Sequence, residues 1–86
     1  MTQAIAVLTG DIIDSRGLDD SQALFAVLDE TLERLARAHD GRFERFRGDG
    51  FQLALPEPAA ALEAAVMLRA GLIHQGHDQR WDARIA

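Results

Sequence analysis

The 86-residue chain contains no cysteine, no tyrosine and no lysine, and only two prolines and one tryptophan. Without cysteine there are no disulfides, thiol nucleophiles or zinc ribbons, and carboxylates and histidines remain as the candidate metal ligands. All nine basic residues are arginines, outnumbered by fourteen acidic ones, which gives a net charge of −5 and a pI near 4.9. That balance opposes general affinity for nucleic acid, which needs basic clusters to neutralise phosphates. No apolar run approaches the ~18 residues that a membrane span requires. The opening Met1-Thr2-Gln3-Ala4-Ile5 lacks the basic flank of a signal peptide, so a cytoplasmic location and no membrane partner are expected. What remains is ordinary globular composition, 48% hydrophobic and 27% charged, sized for a single domain over residues 1–86.

Ala4-Ile5-Ala6-Val7-Leu8 is apolar throughout, as a central strand covered on both faces would be. Turn formers follow over residues 9–17, and Asp19-Asp20-Ser21 offers candidate N-caps. A helix over residues 22–38 is predicted from Leu24, Leu28, Leu32 and Leu35, with Gly41 at its left-handed close. Residues 43–46 and 51–55 flank Arg47-Gly48-Asp49-Gly50 and read as a hairpin with Asp49 at its tip and Phe51, Leu53 and Leu55 on one face. Pro58 suits the first turn of a second helix, whose stripe is read as Leu62, Ala65, Val66, Leu72 and Ile73, ending at Gly76. Trp81, Ala83 and Ile85 then alternate as the opening of a fourth strand.

The order β-α-β-β-α-β predicts an α+β, ferredoxin-like palm: an antiparallel sheet ordered 4-1-3-2 with both helices on one face. Strand 1 would lie antiparallel to strand 3, so the end of strand 1 and the hairpin tip share one edge of the sheet. Asp11 and Asp49 become neighbours there. Strands are ~4.8 Å apart, so two such carboxylates can share a divalent cation. Their mutual repulsion is relieved by a bound ion, and Mg²⁺ held by one or two carboxylates, or Mn²⁺ in its place, implies a phosphate-bearing ligand such as a nucleoside triphosphate. Backbone N–H groups along residues 11–17, including those of Ile13, Asp14, Ser15 and Arg16, are candidate phosphate donors, and Gly48 permits close approach. Gly-Asp-Gly also serves as an ordinary hairpin turn, and Asp14 is either a third ligand or the cap of its own turn.

Other groups invite weaker readings. His74 and His77 are spaced for one helix face, but Gly76 between them favours solvated histidines at a helix end. Phe43, Phe46 and Phe51 are read as packing residues rather than a base-stacking platform. Arg42, Arg45 and Arg47 are expected on one face of the second strand unless a bulge intervenes, a surface for phosphate or a partner. An apolar sheet face left uncovered by the two helices and an edge strand cut short predict a homodimer or larger assembly.

Val7-Leu8-Thr9-Gly10-Asp11-Ile12-Ile13-Asp14-Ser15-Arg16 and, about forty residues later, Phe46-Arg47-Gly48-Asp49-Gly50-Phe51-Gln52-Leu53-Ala54-Leu55-Pro56 resemble the first half of the class III nucleotidyl cyclase domain, whose palm is shared by the GGDEF proteins. The wording is especially similar to SatD-like bacterial proteins of that superfamily. The resemblance implies Asp11 and Asp49 as metal ligands, the Ile12 carbonyl as a further one, and Arg45 at the purine-reading position. Asp14 stands where the family has a small residue and adds negative charge beside the phosphates. The family's transition-state asparagine and arginine follow the fourth strand. The 86 residues therefore correspond to half a site, the N-terminal half of a longer cyclase-like domain. Two readings follow: a non-catalytic nucleotide- and metal-binding module, or a Mg²⁺-dependent cyclase or related phosphotransfer enzyme completed by a second subunit or a C-terminal half.

Overall fold

Alternating apolar residues on four short strands bury one sheet face beneath two helices. The computed structural model describes residues 5–13, 21–46, 50–76 and 81–86. Along the chain come β1 (Ala6–Ile12), α1 (Ser21–Ala38), β2 (Arg42–Arg45), β3 (Gly50–Leu55), a 3₁₀ turn (Pro58–Ala60), α2 (Ala61–Gly76) and β4 (Ala83–Ile85). The sheet is ordered β2-β3-β1-β4 with every pair antiparallel, the α+β topology expected from the element order.

Leu8, Ile12, Phe51, Leu53, Leu55 and Ala83 form the covered sheet face, with α1 over β2 and β3 and α2 over β1 and β4. Leu24, Leu28, Leu32 and Leu35 are buried on α1 as their spacing predicts. Burying such leucines stabilises by roughly 1.5–3 kcal/mol each before conformational entropy is counted. Trp81 is buried beside Gly76, where a Cβ would lie 2.9 Å from the Trp81 ring, so glycine ends α2 against the indole. At the start of α2, the Glu57 side chain accepts a hydrogen bond from Ala59 N–H and Pro58 fills the first turn.

Several local expectations are corrected. β1 does not stop at Leu8: pairing with β3 on one side and β4 on the other carries it through Thr9, Gly10 and Asp11 to Ile12, and this two-sided ladder outweighs the local turn preference. Nor is it covered on both faces, because Val7 and Thr9 lie exposed on the open side. Asp40, not Gly41, takes the left-handed conformation after α1, with φ 53°; Gly41 N–H then donates to the Ala36 carbonyl across the helix end. Glycine is still required at 41, where a Cβ would run into the Ala54 carbonyl oxygen.

The core face of α2 is Ala64, Leu68 and Leu72, whereas Leu62, Val66 and Ile73, expected inside, are 76%, 58% and 51% exposed. The open sheet face carries Thr9, Asp11, Arg42, Glu44, Gln52 and Arg84 beside Val7, and is therefore mixed polar rather than apolar. Arg42 and Arg45 do not share a face. Three positions along a strand of period two put them on opposite sides, and the unbroken β2·β3 register contains no bulge to reverse that. Arg47 lies outside the described residues. Phe51 is fully buried, Phe43 packs against the core, and Phe46 is 44% exposed.

Candidate metal centre

Asp11 is the next-to-last residue of β1, and alternation places it on the open face of the sheet. The register sets it opposite Gly50 on β3 and opposite Arg84 on β4. Asp49 immediately precedes Gly50 in the sequence, so its covalent neighbour is the residue that pairs with Asp11. Asp49 itself lies outside the described residues, as do Gly48, Asp14, Ser15, Arg16 and His77. The two β-hairpin strands are joined across residues 47–49 by a hydrogen bond from Phe46 N–H to the Gly50 carbonyl at 2.9 Å.

Ile12 buries its side chain in the core, yet its backbone faces the same rim. Thr9 and Ile13 bond to Ala86 and Asp82, the residues that flank β4. By the alternation of an antiparallel ladder, the Ile12 carbonyl turns the other way, to the side where β3 begins. Ile13 is half-buried and borders a groove between α2 and β4.

The Asp11 carboxylate is about half exposed, and Arg84 Nε stands 3.5 Å from its Oδ1. This ion pair is long, and both partners reach solvent, so its Coulombic worth is small. A shallow hollow of about 480 Å³ opens beside it, lined by Thr9, Gly10, Asp11, Arg84, Ile85 and Ala86. A hard oxygen donor at the mouth of a hollow, countered only weakly, is compatible with a hydrated Mg²⁺ or Mn²⁺, which takes one or two carboxylates and keeps several waters. Among the described residues no three or more His, Asp or Glu side chains are grouped so as to hold a metal ion.

Arg45 is on the other side of the sheet. Its Nη1 donates to Asp29 Oδ1 on α1 at 2.7 Å, and its guanidinium sits 4.6 Å from the centre of the Phe25 ring. The fold therefore gathers Asp11, Ile12 and the start of β3 at one rim and separates them from Arg45. Arg84 was not among the residues singled out by sequence, though the signal existed. If Ala83 and Ile85 face inward, the residue between them faces outward, and the strand order sets it beside β1.

A second charged pair lies at the other end of β4. Arg69 on α2 donates through Nε to Asp82 Oδ1 at 2.8 Å and through Nη2 to Oδ2 at 2.7 Å. Those bonds hold the Asp82 carboxyl below the usual carboxylate range, against a smaller opposing effect of burial, and raise the Arg69 guanidinium. Asp82 Oδ1 also accepts from Ala83 N–H at 2.8 Å, which fixes the first residue of β4.

No protein-family model matches this chain, and no curated protein matches it.

Proposed function

We propose that this chain is a palm-like module that binds a divalent cation, Mg²⁺ or Mn²⁺, together with a nucleoside triphosphate, and that it has no turnover on its own. The observation that carries the reading is the pairing of Asp11 with Gly50, the residue that follows Asp49. It supports a two-carboxylate site built from the ends of β1 and the β2–β3 hairpin. The orientation of the Ile12 carbonyl toward that rim adds a neutral oxygen donor. The ion would neutralise the two aspartates and present its remaining positions to phosphate oxygens. The resemblance of the Gly10–Asp11 and Gly48–Asp49 segments to nucleotidyl cyclases supports the same assignment. Binding without turnover is favoured because the 86 residues contain no asparagine for the transition-state role that the resemblance implies, and Arg45, the purine-reading candidate, is held by Asp29 behind the sheet, so in either reading the base is bound without it.

Isothermal titration calorimetry with ATP or GTP, in Mg²⁺ and in Mn²⁺, tests the reading, followed by chromatography of the nucleotide. Binding that requires the cation and disappears in Asp11→Asn and Asp49→Ala, with the nucleotide recovered intact, is the expected result. A new product whose formation is lost in Asp49→Ala would replace the binding module by the enzyme. Failure to bind either cation or nucleotide would remove both.

A further inference from the structure

We infer that two copies of this chain join edge to edge through β4, continuing the sheet from one copy into the other and bringing their α2 helices side by side. This surface shares Arg84 and Ile85 with the hollow beside Asp11, but the inference does not rest on cation binding there.

Two features left incomplete in one copy stand next to each other. The first is the outer edge of β4. Ala86 exchanges both backbone hydrogen bonds with Thr9, and Asp82 accepts from Ile13 N–H, so Asp82 and Ala86, and by alternation Arg84 between them, face β1. In the alternation of the ladder, Ile85 and Ala83 direct their backbone groups outward. Ala83 N–H is met by its own Asp82 side chain, and no described residue pairs with the outward N–H and C=O of Ile85. An exposed edge of this kind accepts another strand. The second feature is the exposed stripe Leu62, Val66 and Ile73 on α2, spaced along one side of the helix. It borders a groove of about 820 Å³ whose other wall is Ala83, Arg84 and Ile85.

A single two-fold axis satisfies both. Successive strands are ~4.8 Å apart, so an axis midway between the two β4 strands has β4 at ~2.4 Å and β1 at ~7.2 Å. α2 packs over both β1 and β4, which is consistent with a helix axis near their midpoint. The two α2 helices then come ~10 Å apart, within the 8–10 Å at which helices pack. A strand from an unrelated peptide would pair with the β4 edge but would bring no helix to cover Leu62, Val66 and Ile73. A second copy of this chain brings both.

The charges along the contact also permit it. Arg69, the cation within the stripe, is neutralised by two bonds to Asp82, and Arg84 has Asp11 beside it. Each copy therefore carries counterions for its own arginines to the axis. The contact follows only one four-turn helix and one three-residue strand, a short seam, so a weak, reversible association is expected.

Sedimentation equilibrium on the 86-residue chain, from about 1 µM to about 500 µM, reads the association directly. A monomer–dimer equilibrium is expected, weakened at least about tenfold by Val66→Glu and by Ile73→Glu, with far-ultraviolet circular dichroism unchanged because both side chains are already exposed. Ile85→Pro removes the outward N–H without touching a bond to β1 and should weaken the dimer as well, while Gln52→Glu on the open face should leave it intact. A wild-type chain that stays monomeric throughout the range overturns the inference. So does a dimer that survives both glutamate substitutions, since it would use another surface.

Discussion

Arg69 and Asp82 meet in a two-point ion pair that ties α2 to the residue preceding β4, with donor–acceptor distances of 2.8 and 2.7 Å. The pair lowers the Asp82 carboxyl below its ordinary value. A depressed folded-state value means that the carboxylate contributes stability above the unfolded value of about 3.9 and loses it as pH falls through the lower folded value. Asp82→Asn should therefore melt at a lower temperature than the wild type at pH 7. The two melting curves should converge as pH falls below about 4. The neutral-pH difference is expected to be modest because Arg69 is half exposed. A difference that persists unchanged into acid would show that Asp82 acts through something other than its charge.

Gly10 is pinned between two neighbours. A Cβ at that position would lie 2.5 Å from Phe51 Cζ and 2.6 Å from the Arg84 carbonyl oxygen. The ring is fully buried and the carbonyl belongs to a strand, so neither moves cheaply. Gly10→Ala should destabilise by about 1–3 kcal/mol in chemical denaturation, as other overpacked core positions do. Gly71→Ala provides the contrast. Its Cβ would stand 3.6 Å from Thr31 Cγ2, an ordinary contact, and alanine in a helix interior is worth about 0.5–1 kcal/mol over glycine. That variant should be the more stable protein.

The two apolar sides of α2 should separate cleanly under truncation. Leu68 is fully buried, and Leu68→Ala should cost about 2–5 kcal/mol. Val66 is exposed, and Val66→Ala, measured on dilute protein, should stay within about 0.5 kcal/mol of the wild type. Equal costs at the two positions would mean that α2 is rotated about its axis relative to the described packing.

That helix also shows where sequence reasoning failed, and why. On α1 the leucines recur against a background of Glu30, Glu33, Arg34 and Arg37, so only one face is able to go inside. On α2 the apolar residues cover most of the circumference, and Leu62–Val66–Ile73 is as well spaced as Ala64–Leu68–Leu72. Periodicity alone has no basis for choosing between them. The choice is made by α1 and the sheet, which are tertiary partners. β1 failed for a related reason: Thr9-Gly10-Asp11 favours a turn in isolation, but a central strand gains hydrogen bonds on both sides. The strand order was legible because the β-α-β-β-α-β sequence of elements leaves few right-handed, unknotted solutions. From that order the opposition of Asp11 to the end of the hairpin follows, while the separation of Arg42 from Arg45 needed only the parity of their positions.

Arg84 is the residue with which a cation at Asp11 must compete. Its Nε lies 3.5 Å from the carboxylate that the proposed site requires, and both side chains reach solvent. An exposed pair of this kind is worth about 0.2–1 kcal/mol, so Arg84→Ala should tighten binding of free Mn²⁺ by about 1.4-fold to fivefold. Titration followed by electron paramagnetic resonance of the unbound ion would measure this. Nucleotide changes the sign of what Arg84 can contribute. Displaced from Asp11 by the metal, its guanidinium is available to phosphate oxygens at the same rim. Arg84→Ala should then tighten the bare ion while leaving the affinity for the metal–ATP complex unchanged or reduced. If the substitution has no effect on free Mn²⁺, the Asp11–Arg84 contact is not maintained in solution and the carboxylate is already available to the ion.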